Sequence, residues 1–224
     1  MSEFFLELFS EEIPAGLQKN LRENLLKSFN NFFEQQFILF KRSSSYSTPN
    51  RLVILFEGVN KKTVIKSEEI KGPSTNAPEL AITGFIRSNK ISKQNLYKKK
   101  TEKGSFFYFK TKSKKLYTHE LLEEFIPKIL DNIQWKKSMR WGEFSLNWGR
   151  PLKSIFAIFN KKKLIFKFHH IQSSNLTFID KDFEEKRKKF YNFKEYKNFF
   201  KKEHIIIDPD ERKKIIEKKF YLLL

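Results

Sequence analysis

Residues 4–14 read Phe-Phe-Leu-Glu-Leu-Phe-Ser-Glu-Glu-Ile-Pro, and this stretch joins a strand to a helix. Its first six residues form an apolar run that only Glu7 interrupts, which is typical of a buried strand. Ser10 and the glutamates after it suit the positive end of a helix, and Pro14 is tolerated in a first turn. Apolar residues then recur at every fourth position from Ile13 to Phe37. We therefore predict a strand followed by a helix of about 20 residues with one buried stripe.

The remaining sequence continues to alternate between strand and helix patterns, without an internal repeat. Short apolar runs predict further strands, and the polar residues 41–47 predict a loop between two of them. Helical spacing begins again near Pro78, at Thr118 and, with many charges, at about Asp182. The sequence therefore predicts an α+β fold, in which helices pack on a mixed or antiparallel sheet and the start of a helical region follows.

The change in pattern near residue 180 predicts two domains. Residues 1–180 form an N-terminal α+β domain, and residues 181–224 form a charged helical segment. This segment ends on Tyr221-Leu-Leu-Leu, and a solvated helix rarely ends on unshielded apolar residues in a complete protein. We therefore expect the chain to be a fragment and residues 181–224 to be the truncated start of the next domain.

The chain is strongly basic, with 45 lysines and arginines against 26 acidic residues and a net charge of +19. Such a charge attracts polyanions, of which RNA and DNA are the usual examples. Codon bias is an alternative explanation, because the abundant Lys, Phe, Ile and Asn all have A/T-rich codons. Both explanations stay open, so the position of the charge is more informative than its total.

Composition excludes several classes of protein. Without cysteine the chain has no disulfide framework, thiolate metal site or cysteine nucleophile. Apolar runs such as Leu52–Phe56 are far shorter than the roughly 20 residues of a membrane helix. Residues 1–7 carry acids where a secretory signal would carry lysines. We expect a cytoplasmic protein that does not contact a membrane.

No group of residues has the spacing of a catalytic or metal centre. The sequence has no glycine-rich phosphate loop. His119 opens His-Glu-Leu-Leu-Glu, in which glutamate replaces the second histidine of a zinc-protease motif. His169 and His170 are adjacent on a predicted strand, so they point to opposite faces and are poorly placed to bind one ion. We expect neither a catalytic residue nor a metal ligand on this chain.

Residues 90–117 form the most basic part of the chain, with a predicted hairpin tip at 102–104. Lysines here are interleaved with aromatic residues, including the run Phe106–Phe109. Lysines can follow a phosphate backbone while exposed aromatic rings stack on bases. Alternatively, the aromatic residues belong to a core and the lysines form its solvated face. The candidate RNA contacts are Lys98, Lys99, Lys100 and Lys103.

Residues 139–151, Met-Arg-Trp-Gly-Glu-Phe-Ser-Leu-Asn-Trp-Gly-Arg-Pro, hold two of the three tryptophans and two of the eight arginines. In a lysine-rich chain, a retained arginine suggests that its planar fork is needed for bidentate or stacked contacts. Tryptophan beside arginine equally suits an internal cation–π brace. Both alternatives stay open for Arg140, Trp141 and Arg150.

Six motifs in order, at residues 5–15, 48–52, 71–73, 81–85, 137–142 with 150–151, and 207–213, resemble the beta subunit of the bacterial two-subunit glycyl-tRNA synthetase. Residues 5–15 resemble its opening strand, which is followed by Glu-Glu-Leu-Pro and a long helix. Thr48-Pro-Asn-Arg-Leu is similar to its Thr-Pro-Arg-Arg-Leu, with Asn50 as a departure. Lys137-Ser-Met-Arg-Trp-Gly followed by Arg150-Pro resembles its most distinctive stretch. The other similar segments are Lys71-Gly-Pro, Ala81-x-x-Gly-Phe and Ile207-Asp with Glu211-Arg-Lys.

The resemblance implies a heterotetramer of two alpha and two beta chains. In it the alpha subunit activates glycine with ATP and Mg²⁺, and the beta subunit recognises tRNA(Gly). This chain then corresponds to a non-catalytic N-terminal portion, about a third of a beta subunit, with no cofactor of its own. The residues expected to hold the fold or the tRNA contact together are Arg51, Arg140, Trp141 and Arg150. Two alternatives stay open, a stand-alone basic RNA-binding module and an inactive truncated fragment.

Overall fold

The chain forms two compact units. Unit 1 consists of Met1–Thr63 with Tyr117–Leu224, and unit 2 of Val64–Leu116. In the computed structural model the described residues are 2–65, 67–101, 104–111, 113–179 and 186–222.

Within those ranges the chain forms sixteen strands and five α-helices. The strands are β1 (Glu3–Ser10), β2 (Arg42–Thr48), β3 (Arg51–Glu57), β4 (Lys62–Ile65), β5 (Glu69–Ser74), β6 (Leu96–Thr101), β7 (Gly104–Lys110), β8 (Lys114–Tyr117), β9 (Met139–Arg140), β10 (Asn147–Trp148), β11 (Leu152–Phe159), β12 (Lys162–Lys163), β13 (Lys167–Phe168), β14 (Ile171–Ser174), β15 (Leu176–Ile179) and β16 (Lys186–Lys189). The helices are α1 (Ala15–Gln35), α2 (Glu79–Ser88), α3 (Thr118–Asp131), α4 (Phe193–Lys202) and α5 (Pro209–Tyr221). In this part of the chain, no helix is long and apolar enough to span a membrane.

Unit 1 is built on a seven-stranded sheet in the order β13-β14-β11-β1-β3-β2, with β12 also paired to β11. The pairs are antiparallel, except that β11 and β14 run parallel. Two short antiparallel ladders, β9 with β10 and β15 with β16, belong to the same unit. The predicted α+β fold with a mixed sheet and packed helices is confirmed.

Helix α1 covers one face of this sheet with aromatic residues. The ring centroids of Phe29 and Phe33 lie 5.4 and 6.0 Å from that of Phe4. Phe33 also lies 4.5 Å from Phe56 of β3, and all four rings are fully buried. Burying one such side chain contributes about 1.5–3 kcal/mol to stability, so these contacts fix the helix on the sheet. The strand and helix predicted from residues 4–37 are therefore both present.

Helix α4 covers the opposite face. Phe5 of β1 lies 4.7 Å from Phe156, 5.2 Å from Phe193 and 4.6 Å from Tyr196, measured between ring centroids. Because both faces of β1 are covered, its apolar residues form a continuous run rather than an alternating pattern. The contacts thus place α4 in the core of unit 1. The assignment of residues 181–224 to the next domain of a longer protein stays a prediction.

Two local predictions are wrong. Residues 41–47, predicted as a loop, form most of β2, which pairs with β3 along its whole length. This strand is at the edge of the sheet, where short polar side chains such as serine are tolerated. The helical pattern expected from about Asp182 begins at Phe193, because Lys186–Lys189 pairs with β15 as a strand. Residues 180–185 lie outside the described residues.

Unit 2 contains a three-stranded antiparallel sheet in the order β5-β7-β6, with α2 packed on one face. The Phe85 ring of α2 lies 5.8 Å from the ring of Phe109. Gly72 permits this close packing, because a Cβ atom there would lie 2.7 Å from the Phe85 ring. The strands of the predicted hairpin are present, while its tip residues 102 and 103 lie outside the described residues.

Candidate functional site

Three motifs of the sequence meet on unit 1, joined by backbone hydrogen bonds. The segment between β1 and α1 crosses the turn between β2 and β3 and the start of β11. The backbone N–H groups of Ser10, Glu11 and Ile13 donate hydrogen bonds to three carbonyl oxygens. These belong to Asn50 (2.9 Å), Pro151 (3.0 Å) and Pro49 (2.7 Å), respectively. These bonds give partners to backbone groups that the neighbouring strand ladders leave unpaired, so they join the three segments into one junction.

A cleft of about 760 Å³ opens at this junction. It is lined by residues 11–15 and Gln18, by Pro49, by Trp141 and by Arg150–Pro151. A second cavity of about 380 Å³ shares Pro14, Trp141 and Arg150 with the first and extends along residues 135–139. We refer to the two cavities together as the motif cleft. It brings together Trp141 and Arg150, two of the residues predicted from the sequence.

A tryptophan pair supports the wall of the motif cleft. Trp135 packs on the buried Trp148 with 5.0 Å between ring centroids, and Trp148 packs in turn on Phe168 at 5.6 Å. Gly149 lies directly beneath Trp135, because a Cβ atom at this position would lie 2.0 Å from Cε3 of the ring. Glycine is therefore required at position 149 for Trp135 to occupy its place in the wall.

Trp141 is held by a hydrogen bond within the same segment. Its Nε1–H donates to the carbonyl oxygen of Trp148 at 2.8 Å. In the part of the chain that the structure describes, arginine side chains lie over phenylalanine rings but over no tryptophan ring. The brace at Trp141 is therefore a hydrogen bond rather than the cation–π contact considered from the sequence.

Replacing Trp141 with phenylalanine is expected to destabilise unit 1 by about 0.5–1.5 kcal/mol, because the Trp148 carbonyl loses its donor. Urea unfolding followed by circular dichroism measures this loss. The control is Tyr191→Phe at an exposed position, where the expected change is below about 0.5 kcal/mol. Equal midpoints for the two variants would show that the hydrogen bond does not hold Trp141.

The motif cleft carries charges of both signs beside its apolar surface. Glu11 at its rim pairs with Lys153 at 2.8 Å, and both side chains are partly exposed to solvent, so this pair adds little to stability. Glu12 and Arg150 line the larger cavity. Tryptophan, arginine and methionine are enriched at the centres of protein interfaces, and the cleft offers Trp141, Arg150 and the exposed Met139. Arg140 is exposed next to it on β9.

Arg51, a further residue predicted from the sequence, lies in the core and not in the cleft. Its Nε is 3.3 Å from Oε2 of Glu7, and its Nη2 donates to the carbonyl oxygen of Phe178. The guanidinium group stacks over the rings of Phe9 and Phe200 at 4.5 and 4.7 Å. Arg51 is 4% exposed, so its contacts tie the fold together from within.

Glu7 is the centre of this buried polar network. Its Oε1 accepts a hydrogen bond from Thr177 Oγ1 at 2.5 Å, and its Oε2 accepts one from the Tyr196 hydroxyl. Burial raises the pKa of the Glu7 carboxyl, and the charge of Arg51 opposes that rise in part. Burial, together with the Glu7 charge, raises the pKa of Tyr196 well above its usual 10.0. The network links β1, β3, β15 and α4.

The lysine candidates belong to unit 2. Lys98, Lys99 and Lys100 are exposed on β6. Lys99 Nζ lies 2.6 Å from Oε2 of Glu69, and this hydrogen bond raises the pKa of the Lys99 ammonium. Lys103 lies outside the described residues.

Several residues of these sites were not predicted from the sequence. The sequence pattern indicates only a helix start at Pro14 and only an interruption of a strand at Glu7. A lone charged residue inside an apolar run is itself a signal, because a buried charge requires a partner. Trp135 and Tyr196 carry no comparable local signal, since each acts on residues that are distant in sequence or in another element.

The described residues contain no evident metal centre. Among residues 2–65, 67–101, 104–111, 113–179 and 186–222, no group of three or more His, Asp or Glu side chains is arranged to hold an ion. Asp131, His169 and Ser145 form a hydrogen-bonded chain of 2.9 and 3.2 Å at the surface. Both ring nitrogens of His169 are used in these two hydrogen bonds, and the Asp131 side chain is more than half exposed. The three residues therefore form a surface contact and not a metal site.

Comparison with known proteins places the chain in a family. The family model described as glycyl-tRNA synthetase beta subunit matches residues 4–223. The glycine–tRNA ligase beta subunit of Rickettsia peacockii (strain Rustic) is 37% identical over 217 residues. Those of Rickettsia prowazekii (strain Madrid E) and Rickettsia felis (strain ATCC VR-1525 / URRWXCal2) are 36% identical over 217 and 219 residues.

The coverage of these matches is unequal. Each alignment covers 97% of this chain but only 32% or 33% of the relative. The chain thus spans about a third of the length of the curated relatives it matches. The resemblance seen in the six motifs is confirmed. Because the family model spans nearly all of its residues, this chain belongs to the glycyl-tRNA synthetase beta subunit family.

Proposed function

We propose that this chain is part of a beta subunit that supports the attachment of glycine to tRNA(Gly). It acts by assembling with a catalytic alpha subunit and by recognising tRNA, in a cytoplasmic heterotetramer of two alpha and two beta chains. Relatives named as glycine–tRNA ligase beta subunits support this proposal. A stand-alone RNA-binding module and an inactive fragment remain the alternatives.

The motif cleft is the observation that carries the assembly part of the proposal. Segments far apart in sequence build it, and its tryptophan, arginine and methionine side chains suit the centre of a protein interface. Its mixed charges favour a protein partner over a polyanion, because Glu11 and Glu12 lie on the same rim as Arg150. We therefore assign the cleft to contact with the alpha subunit.

Glycine activation is proposed to take place on the alpha subunit. ATP and Mg²⁺ are used there by the assembled enzyme, and this chain holds no cofactor. The lack of a glycine-rich phosphate loop in its sequence supports this division of labour.

Reconstitution with the alpha subunit tests the proposed function. The chain is mixed with the purified alpha subunit of the same organism, and sedimentation velocity measures complex formation. Glycine attachment to tRNA(Gly) is measured in parallel with ATP and Mg²⁺ present. We expect a complex and a change in the rate of charging when the chain is added. If the chain neither sediments with the alpha subunit nor changes charging, the proposed function is contradicted and the two alternatives remain.

A further inference from the structure

The net charge of the chain is concentrated in unit 2. Its 53 residues carry thirteen lysines and arginines against four glutamates, which gives +9 of the total +19. Codon bias would spread lysine over all exposed positions, so this concentration needs a local explanation. A small unit with such a charge is suited to a polyanionic partner.

The strand register separates the two faces of the unit 2 sheet. Ile70, Phe109 and Leu96 are direct partners across the three strands and form the face against α2. The opposite face is formed by the row Lys71–Tyr108–Tyr97, the neighbouring pair Lys99–Phe106, and Glu69. We call these six residues the lysine–tyrosine face. Side chains of direct partners lie on the same side of a sheet, so the assignment follows from the register.

The lysine–tyrosine face is open to solvent within unit 2. Its lysines and Glu69 are exposed, and Tyr97 is 37% exposed. Helix α2, the one α-helix among the described residues of this unit, lies on the other side of the sheet. Tyr108 and Phe106 are half-buried beside the exposed Tyr97, and aromatic surface that reaches solvent on a sheet face is typical of an interaction site.

Aromatic rings and ammonium groups alternate on this face. The rings of Tyr97 and Tyr108 are nearly parallel, at 26° with 6.3 Å between centroids. Lys99 Nζ lies 5.5 Å from the Tyr108 centroid, and Lys71 Nζ lies 3.6 Å from the Phe106 centroid. The Glu69 carboxylate accepts hydrogen bonds from Tyr97 at 2.9 Å and from Lys99 at 2.6 Å, so it holds both side chains in place.

We propose that the lysine–tyrosine face binds unpaired nucleotides of RNA, with bases stacked on Tyr97 and Tyr108 and phosphates at Lys71 and Lys99. Every base has a flat face that stacks on an aromatic ring, and lysines follow the backbone between bases. A duplex keeps its bases stacked inside, so it leaves these rings unused. An acidic protein would use the lysines but not the tyrosine rings. The choice of RNA rests on the proposed function in tRNA recognition.

Binding of a fluorescein-labelled 12-nucleotide oligouridylate to the chain, measured by fluorescence anisotropy, tests this inference. We expect Tyr97→Ala to weaken binding by about tenfold, because one stacked base is lost. Tyr97→Leu keeps an apolar side chain without the aromatic face and is expected to weaken binding equally. Circular dichroism confirms that both variants are folded. Wild-type affinity in either variant would overturn the inference.

Neighbouring lysines of β6 provide a matched control, because Lys98 and Lys99 point to opposite faces. Lys99→Ala is expected to weaken binding several-fold and to reduce the salt slope by about one unit. Lys98→Ala removes the same charge and is expected to have less than half of that effect. Equal losses in both variants would mean that diffuse charge alone attracts the RNA, and would overturn the inference.

Two further measurements separate RNA from other polyanions. Glu69→Gln keeps a side-chain oxygen that can accept from Tyr97 or Lys99 but removes the anion that competes with phosphate for Lys99, so it is expected to raise the affinity two- to fivefold. A 12-base-pair RNA duplex and polyglutamate are both expected to compete poorly. A lower affinity of Glu69→Gln, or equal competition by either polymer, would contradict stacking of unpaired bases. None of these experiments contains the alpha subunit, so their failure is distinct from failure of the proposed assembly.

Discussion

Replacement of Arg51 by methionine is expected to lower the free energy of unfolding by about 3–5 kcal/mol at pH 7. Methionine fills a similar space but leaves the buried carboxyl of Glu7 without its cation. The Phe178 carbonyl loses a donor as well, and the rings of Phe9 and Phe200 lose the stacked guanidinium. Chemical unfolding of the purified chain measures the change. Arg42→Met at an exposed position of β2 is the control, with an expected change below about 0.5 kcal/mol.

A second substitution identifies the unpaired carboxyl as the cause. Adding Glu7→Gln to Arg51→Met replaces the carboxyl with a neutral group of the same shape. The double variant is expected to be more stable at pH 7 than Arg51→Met alone, because no charge is left buried without a partner. If Glu7→Gln lowered the stability of the Arg51→Met variant further, the ion pair would not be the source of the loss.

The deficit of Arg51→Met is expected to grow as the pH rises. Burial already raises the pKa of Glu7 above its usual 4.5, and loss of Arg51 raises it further. A carboxyl whose folded pKa is raised holds its proton more tightly in the folded state. Its contribution to stability is present in full below about pH 4.5 and is lost as the pH rises through the folded pKa. Unfolding measured from pH 4.5 to pH 8 therefore separates wild type and variant progressively, and a constant difference would contradict this explanation.

Replacement of Gly149 by alanine is expected to destabilise unit 1 by about 1–3 kcal/mol and to displace Trp135. The added Cβ atom would lie 2.0 Å from the Trp135 ring, far inside any van der Waals contact. Because Trp135 packs on the buried Trp148, its ring cannot move without opening the wall of the motif cleft. Unfolding midpoints measure the loss of stability, and tryptophan fluorescence reports the displacement of the ring.

Gly16 provides a control with the opposite expected sign. It lies in the first turn of α1, and a Cβ atom there meets nothing within 4 Å. Gly16→Ala is therefore expected to leave stability unchanged or to raise it by up to about 1 kcal/mol, since alanine favours the helix. If Gly149→Ala behaved like Gly16→Ala, the packing of Trp135 described above would be wrong.

The local elements with a strong apolar period were predictable from the sequence. Strand β1 follows directly from the apolar run at residues 4–9. Helix α1 follows from the apolar residues at every fourth position after Ile13. Strand β2 was missed because a serine-rich edge strand has no apolar alternation, and its pairing with β3 supplies the structure. Register across strands is therefore the information that a local pattern lacks.

The candidate sites were predictable only in part. Trp141 and Arg150 stood out by composition, and the structure brings both to the motif cleft. Arg51 stood out equally, but its position in the core depends on Glu7 and Tyr196, which are 189 residues apart. Arginine can serve a core or a surface, and only the fold determines which. The same holds for Lys98 and Lys99, whose faces follow from the pairing of β6 with β7.

The affinity of the chain for the alpha subunit, compared between Arg150→Ala and Lys194→Ala, tests the central claim most directly. Arg150 lines both cavities of the motif cleft, whereas Lys194 is exposed on α4. Each substitution removes one positive charge, so the two variants differ in position and not in charge. A central arginine of an interface contributes about 2 kcal/mol or more, so Arg150→Ala is expected to weaken the complex by about 30-fold. Lys194→Ala is expected to weaken it less than threefold. Equal affinities of the two variants would contradict the assignment of the motif cleft to the alpha subunit.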